Sequence, residues 1–210
     1  MGKTISFGIS AIMLLLALQA SIPVSAQKFE GGLNAGLCAS QVAGDTYSGY
    51  NKAGIFAGGY IGLHLNDRTA LHLELDYIQK GSRNNPGADS SNYNPNYILR
   101  VNYVEMPLLL KLNYGKRIVA EIGPAMSFLV NSYEEYGESE IIGGVPVKKQ
   151  NLSLIIGASC LLNERVSVGL RTNNSLFSIR VNNNVEHYRK RLGVFGQFND
   201  VLVINLSYKL

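Results

Sequence analysis

The chain has 210 residues, of which 46% are hydrophobic and 16% charged, with 22 glycines, 12 tyrosines and no tryptophan. This length indicates a single domain. The net charge of +4 is small because most charges are balanced by charges of the opposite sign, which excludes a typical nucleic-acid-binding protein but is compatible with contact to an anionic membrane surface.

Residues 1–26 are predicted to be a cleaved secretory signal peptide. Lys3 provides a positive start, an apolar run follows over residues 5–20, and Val24-Ser25-Ala26 is a small-residue cleavage site. An uncleaved anchor helix is the alternative, because the apolar segment is almost long enough to span a bilayer. The proline and small residues at its end favour cleavage, which leaves a mature domain of residues 27–210.

The mature chain alternates between apolar and polar residues with the period of two that is typical of β-strands. Several of these segments reach the length of about 9 to 11 residues that a tilted transmembrane strand needs. The predicted strands are residues 28–38, 53–65, 69–80, 97–114, 118–131, 151–162, 166–178 and 199–210.

Three connections are short turns, residues 66–68, 115–117 and 163–165, and each begins with Asn or Gly and ends with Arg. Asn and Gly suit a three-residue hairpin, because one residue there adopts a left-handed conformation. This loop length keeps apolar side chains opposite each other in all three hairpins, whereas a one-residue slip would reverse every side chain. On the other face it pairs Gly62 with His72, Tyr60 with Glu74, Lys111 with Glu121, and Gly157 with Arg171.

The remaining connections are long and alternate strictly with the short ones: about 39–52, 81–96, 132–150 and 179–198. Short turns on one side and long loops on the other are typical of bacterial outer-membrane barrels. The sequence therefore predicts an all-β fold, an eight-stranded antiparallel up-and-down transmembrane β-barrel. A soluble barrel of the lipocalin type also has hairpins, but nothing in that fold requires long and short loops to alternate along the chain.

One face of the predicted strands carries Leu and Ile, and the other carries charged residues and glycines. We expect the apolar face to contact lipid and the charged face to fill a narrow lumen, because eight strands enclose little more than their own side chains. The predicted lumen network is His72, Glu74, Asp76, Lys111, Glu121 and Arg171. Glu30 and Lys209 are expected to pair where the first and last strands meet.

Strand 97–114 departs from this pattern, because its apolar residues change parity along the strand. A β-bulge near Val104 would restore the phase.

An aromatic girdle at the membrane interface is predicted from tyrosines near strand ends, although tyrosine is common in strands generally. The girdle residues are Tyr77, Tyr97, Tyr103, Tyr114 and Tyr208.

The two cysteines, Cys38 and Cys160, fall in strands that are not neighbours, so we expect free thiols.

The segments ELDYIQKG (74–81), YVEMPLLLKLNYG (103–115) and IGPAMSFLV (122–130) resemble the PorT-like family of outer-membrane β-barrel proteins of Bacteroidota. The Gly-rich stretches FEGGLNAG (29–36) and KAGIFAGG (52–59) agree with this resemblance. It implies localisation in the bacterial outer membrane and, by family analogy alone, an envelope- or secretion-associated role. The C-terminal NLSYKL resembles the signal that the barrel-assembly machinery reads during insertion, with Leu210 where an aromatic residue is more usual.

Catalysis is the main alternative for the charged face. A His72–Asp76 pair could activate water in a barrel hydrolase, but no Ser in a nucleophile motif accompanies it, and a lumen requires charge pairing in any case. No ligand spacing indicates a metal site, and no cofactor is expected. We therefore predict a protein that is not an enzyme.

The long loops carry the remaining functional signal. The third loop is acidic, with Glu134, Glu135, Glu138 and Glu140, and the fourth is basic, with Arg180, Arg189, Lys190 and Arg191. The preferred interpretation is that the two loops pair and order the rim. The alternative is that Arg189, Lys190 and Arg191 form a surface-binding cluster for lipopolysaccharide phosphates or another partner.

The sequence thus predicts a small outer-membrane barrel with a filled lumen, long extracellular loops and a surface structural or binding role. Its expected partners are outer-membrane lipid and lipopolysaccharide, the assembly machinery, and an unidentified surface or periplasmic protein. A narrow porin-like channel is a further alternative.

Overall fold

The computed structural model describes residues 28–84, 96–115, 117–137, 139–180 and 189–210. The predicted signal peptide lies outside these residues. Within them, eight long strands form the wall of a barrel. They are β1 (Phe29–Ala43), β2 (Lys52–His64), β3 (Thr69–Asn84), β4 (Tyr97–Tyr114), β5 (Ile118–Tyr136), β6 (Gln150–Leu161), β7 (Val166–Ser175) and β8 (Phe198–Lys209).

Each strand pairs antiparallel with its neighbours in the chain, and β1 pairs with β8, so the sheet closes on itself. The closing register runs from Gly32 opposite Lys209 to Ala43 opposite Phe198. No helix in the described part of the chain is long and apolar enough to span a bilayer. The predicted eight-stranded up-and-down barrel is confirmed.

The three short turns have the predicted register. Leu63 pairs with Leu71, and the opposite face pairs Gly62 with His72, Lys111 with Glu121, and Gly157 with Arg171. In two of the turns an asparagine side chain holds the backbone. Asn66 Oδ1 accepts hydrogen bonds from the backbone N–H groups of residues 68 and 69, and Asn163 Oδ1 accepts from those of residues 165 and 166. This local bonding explains the preference for Asn at the start of the turn.

We call the side of the barrel with these turns and both described chain ends the turn end, and the opposite side the loop end. In the wall nearest the turn end, apolar side chains point outward and polar ones inward. Ile61 and Ile204 are 60% and 59% exposed, whereas Glu74 and Arg171 are buried. A soluble barrel would show the reverse arrangement, so this wall is built to contact lipid.

Near the loop end the arrangement inverts, and the prediction for β4 is wrong there. Leu99, Val101 and Tyr103 are fully buried inside the barrel with the same parity as Glu105, so β4 has no phase change near Val104. The register shift lies instead in β5, where Val130 is the extra residue between the partners of Tyr103 and Asn102. The apolar residues of β4 change parity because the strand passes from the lipid-facing wall into a region with an apolar interior.

The outward position that the predicted aromatic girdle requires is observed for some of its tyrosines and not for others. Tyr114 and Tyr208 are exposed on the outer wall, and Tyr77 is half-buried on the same side of the sheet. Tyr97 and Tyr103 are buried inside, where the ring of Tyr97 stacks on Tyr47 with centroids 4.6 Å apart. The two inner tyrosines belong to the apolar interior of the loop end and not to the membrane interface.

Short additional strands lie at the loop end. Ser139–Glu140 pair with the last residues of β5. Arg189–Arg191 and Val194–Gly196 form a two-stranded hairpin, hereafter the rim hairpin, with Leu192 and Gly193 at positive φ in its turn.

The two cysteines lie on opposite sides of the wall. Cys38 is buried in the lumen, and Cys160 is exposed on the outer surface. Both are free thiols, as predicted.

Candidate functional site

Four charged side chains in the turn-end half of the lumen form a closed ring, which we call the charge ring. Arg171 Nη1 lies 2.8 Å from Glu74 Oε2, and its Nε lies 2.8 Å from Glu121 Oε1 as an ion-pair contact. Lys111 Nζ lies 3.2 Å from Glu121 and 3.8 Å from Glu74. Two acids and two bases from β3, β4, β5 and β7 thus neutralise each other.

Gly157 makes room for the ring. A Cβ at this position would lie 2.7 Å from Arg171 Cβ and 2.8 Å from Glu121 Oε1, closer than real Cβ atoms approach. The glycine therefore allows a large guanidinium and a carboxylate to share one level of a narrow barrel.

The remaining predicted network residues have different surroundings. His72 Nε2 lies 3.1 Å from Glu30 Oε1, and the His72 ring stacks on Tyr60 with centroids 4.7 Å apart. Asp76 is buried, and neither of its oxygens accepts a hydrogen bond from another residue of the described chain. His72 is therefore bound to Glu30 rather than Asp76, and the pair that a hydrolase would need is not formed.

Glu30 is the centre of a second cluster at the turn end. Besides His72 it contacts His64 at 3.0 Å and Lys209 at 2.5 Å, so it joins β1, β2, β3 and β8 where the barrel closes. The predicted Glu30–Lys209 pair is confirmed. A cavity of about 200 Å³ lies beside these residues.

A third cluster was missed by sequence reasoning. Lys80 Nζ lies 2.6 Å from Glu105 Oε1 and donates to Asn173 Oδ1 at 3.0 Å, while Asn173 and Ser127 donate hydrogen bonds to the two oxygens of Glu105. Lys80 has the same parity as Asp76 and Glu74 along β3, and this parity is the signal that could have found it.

An apolar layer lies in the lumen between these clusters and the loop end. Its side chains come from the wall and from two loop residues, Val147 and Ile179, that fold into the mouth. They are Cys38, Val42, Phe56, Ile78, Tyr97, Leu99, Val101, Tyr103, Val147, Ile179, Val201 and Val203. These residues pack as one buried cluster, with polar side chains such as Ser40, Ser175 and Asn199 beside them on the inner face.

The acidic and basic loops pair at one point of the rim. Arg180 donates two hydrogen bonds to Glu134, at 3.0 and 2.7 Å, and Tyr97 Oη donates a third at 2.7 Å. Glu138 lies outside the described residues. The predicted pairing of the two loops is thus observed for Glu134 and Arg180.

The predicted surface cluster is split between two environments. Arg191 donates to Asp200 Oδ2 at 2.7 Å and to Ser175 O at 3.1 Å, and it lies over the Phe198 ring. Arg189 and Lys190 are exposed, with the Lys190 ammonium 5.2 Å from the Phe195 ring centroid.

Large apolar side chains are also exposed at the loop end. Ile142 is 90% exposed, and Leu192 and Phe195 of the rim hairpin are 71% and 57% exposed. Exposed apolar groups beside charged ones are typical of interaction surfaces.

A buried carboxyl group lies in the first loop. Asp45 is buried, and its Oδ1 accepts a hydrogen bond from the backbone N–H of Tyr47 at 3.0 Å. Burial disfavours the ionised form and raises the pKa of Asp45 to about 6.

The described residues contain no group of three or more His, Cys, Asp or Glu side chains arranged to hold a metal ion.

Comparison with known proteins gave one family and several structures. The family described as outer membrane protein beta-barrel domain matches residues 25–181. Neisserial surface protein A is 12% identical with a TM-score of 0.48, and the alignment covers 87% of this chain and 97% of that chain. Ail, the attachment invasion locus protein of Yersinia pestis, solved with the heparin analogue sucrose octasulfate, is 8% identical with a TM-score of 0.48 over 87% and 99% of the two chains. A de novo designed transmembrane β-barrel is 8% identical with a TM-score of 0.41 over 88% and 99%. None of the curated proteins matched the chain.

Proposed function

Because the chain belongs to the family of outer membrane proteins with a β-barrel domain and resides in the bacterial outer membrane, we propose that it is a sealed surface-binding barrel without enzymatic activity. In such barrels the short turns face the periplasm and the long loops face the exterior. The observation that carries the proposal is the apolar layer, because its buried side chains favour a sealed lumen and so leave the rim as the surface for contact with partners.

The rim hairpin is the part of this surface that best fits an anionic partner. It combines the exposed cations Arg189 and Lys190 with the exposed side chains of Leu192 and Phe195. Arg and Lys bind sulfate, phosphate and carboxylate groups, and an aromatic ring adds contact area at low entropic cost. A flexible anionic polymer, such as a surface polysaccharide, offers these groups in series.

The test uses the purified protein in phosphatidylcholine nanodiscs with dextran sulfate as the probe. We expect Arg189→Glu with Lys190→Glu to weaken binding at least tenfold and to reduce its salt dependence. Arg68→Glu with Arg117→Glu is the matched control, since it reverses the same number of charges on exposed periplasmic turns. Equal binding by both double variants would exclude the rim hairpin as the binding surface.

The sequence hypothesis that Arg189, Lys190 and Arg191 bind lipopolysaccharide is tested in the same format with lipopolysaccharide micelles. Arg191 is kept in these variants because its bonds to Asp200 and Ser175 support the hairpin.

Two alternatives make different predictions. A narrow channel would give discrete conductance in planar bilayers, whereas the apolar layer leads us to expect none. A barrel hydrolase would cleave lipid A or peptide and lose this activity on His72→Ala. We expect no cleavage by the parent protein, which the Glu30–His72 contact supports.

We infer a narrower relationship to PorT-like barrels from the sequence segments described above. An envelope- or secretion-associated role, insertion by the barrel-assembly machinery and a periplasmic protein partner are what this resemblance implies. Deletion of the gene, followed by comparison of secreted proteins, tests the secretion role.

A further inference from the structure

A polar groove of about 440 Å³ lies on the outer wall of β2–β5, near the loop end. Directly below it the outward-facing row consists of Tyr77, Val104 and Phe128, which lie side by side on β3, β4 and β5. The next row up is Gln79, Asn102 and Asn131. The wall therefore changes from apolar to polar at one level on three adjacent strands, as expected where hydrocarbon gives way to headgroups.

Cationic groups dominate this groove. Arg100 and Arg83 are exposed, and within the described residues neither forms an ion pair. The Arg100 guanidinium lies over the Tyr133 ring, 5.7 Å from its centroid. Two carboxylates lie near this face. Glu135 Oε2 accepts a hydrogen bond from Tyr133 Oη at 2.9 Å, and Glu140 lies opposite Glu135 in the sheet.

Gly81 keeps the groove open. It lies opposite Arg100 in the register, between Gln79 and Arg83, so this position of β3 adds no side chain beside the arginine. Its φ of +139° suits glycine, and a Cβ would overlap the carbonyl oxygen of Leu99. The aliphatic chain of the buried Lys52 lies beneath it, with Cδ 3.0 Å from the Cβ position, and the Lys52 ammonium donates a hydrogen bond to Ala53 O at 3.3 Å.

We propose that this groove binds a phosphate group of a lipid in the outer leaflet, with the guanidinium groups of Arg83 and Arg100 as donors. Arginine binds phosphate in a bidentate manner, and the stacking of Arg100 on Tyr133 pre-organises one of the two groups. The acyl chains of the same lipid would lie against Tyr77, Val104 and Phe128 directly below. A lipid is the occupant because the apolar wall and the cationic groove are continuous, a combination that free phosphate cannot use.

This inference rests on the outer-membrane location and not on the rim hairpin. The groove is centred on β3 and β4, whereas the hairpin connects β7 and β8, four strands away around the barrel. The two surfaces can therefore be tested separately.

The experiment measures lipid A binding by native mass spectrometry of the detergent-solubilised, folded barrel. Arg83→Glu with Arg100→Glu should reduce the bound fraction at least tenfold. Arg83→Gln with Arg100→Gln, a change without charge reversal, should also weaken binding and is used if the Glu variant does not fold. Heat-modifiable gel mobility confirms folding in each case.

One double variant serves as the matched control, because it reverses two exposed charges outside the groove. Arg68→Glu with Arg117→Glu lies on the periplasmic turns and should bind lipid A as the parent protein does. Loss of binding in this control equal to the loss in the groove variants would overturn the proposal.

The choice of lipid identifies the group that is recognised. The parent protein should bind dephosphorylated lipid A no better than the Gln variant binds phosphorylated lipid A. Inorganic phosphate at millimolar concentration should not compete with lipid A for the parent protein. Equal lipid A binding by the parent and groove variants would overturn the proposal, as would full competition by inorganic phosphate.

Discussion

Arg171 offers the sharpest test of the charge ring. Substitution by leucine removes two ion-pair contacts at 2.8 Å and leaves Glu74 and Glu121 with Lys111 as their shared cation. At an effective dielectric constant of about 20, each lost contact corresponds to about 6 kcal/mol of gross attraction. Most of this is offset because the guanidinium no longer needs to be desolvated. The expected loss in the free energy of unfolding is therefore about 3–5 kcal/mol, the range for breaking a buried pair on one side.

The assay is urea unfolding of the barrel in lipid vesicles, followed by gel mobility because the chain has no tryptophan. The double variant Arg171→Leu with Glu74→Gln is the control, since it leaves Lys111 and Glu121 as a neutral pair 3.2 Å apart. We expect it to recover part of the lost stability. A loss below about 1 kcal/mol in the single variant, or a double variant less stable than the single one, would refute the view that uncompensated charge is the main cost.

Three further predictions concern other parts of the barrel. Leu75→Arg on the lipid-facing wall should cost about 2–4 kcal/mol in the same assay, while Ile142→Arg at the exposed rim should cost little; equal costs would contradict the assigned lipid face. Leu99→Ala should cost about 2–5 kcal/mol by opening a cavity in the apolar layer, and a cost below about 1 kcal/mol would show that the layer is loosely packed. Asp45 has a raised pKa of about 6 when folded, against 3.8 for the exposed group, so stability should fall as pH rises from about 4 to 6. Asp45→Asn should remove this dependence and raise the urea midpoint at pH 7.5 but not at pH 3.5, and an unchanged pH profile would argue against a buried carboxyl.

The strands and turns could be predicted because two local signals agree. Alternation with a period of two marks a wall with two different environments, and the Asn and Gly residues of the short turns determine the register. The pairing of Lys111 with Glu121 followed from that register alone. Such pairs depend only on neighbouring strands, so the sequence contains the information needed to find them.

The orientation of the β4 side chains near the loop end could not be predicted, because alternation does not reveal whether the outer face of a strand contacts lipid or a polar environment. Where the outer face contacts hydrocarbon, apolar residues point outward; where it meets polar surroundings, as at Asn102 and Arg100, they point inward. Leu99 and Val101 follow the second rule. Contacts across the lumen were also beyond reach: Lys80 and Asn173 are separated by 93 positions and meet through the curvature of the closed barrel.

The lengths of the strands determine how far each part of the wall extends beyond the membrane. β4 has 18 residues, which corresponds to about 60 Å of strand and about 42 Å along the membrane normal at a tilt of about 45°. The apolar band of an outer-membrane barrel is about 25 Å tall. The wall at β4 therefore extends well beyond the apolar band, whereas β7 has only 10 residues, about the number needed to cross it.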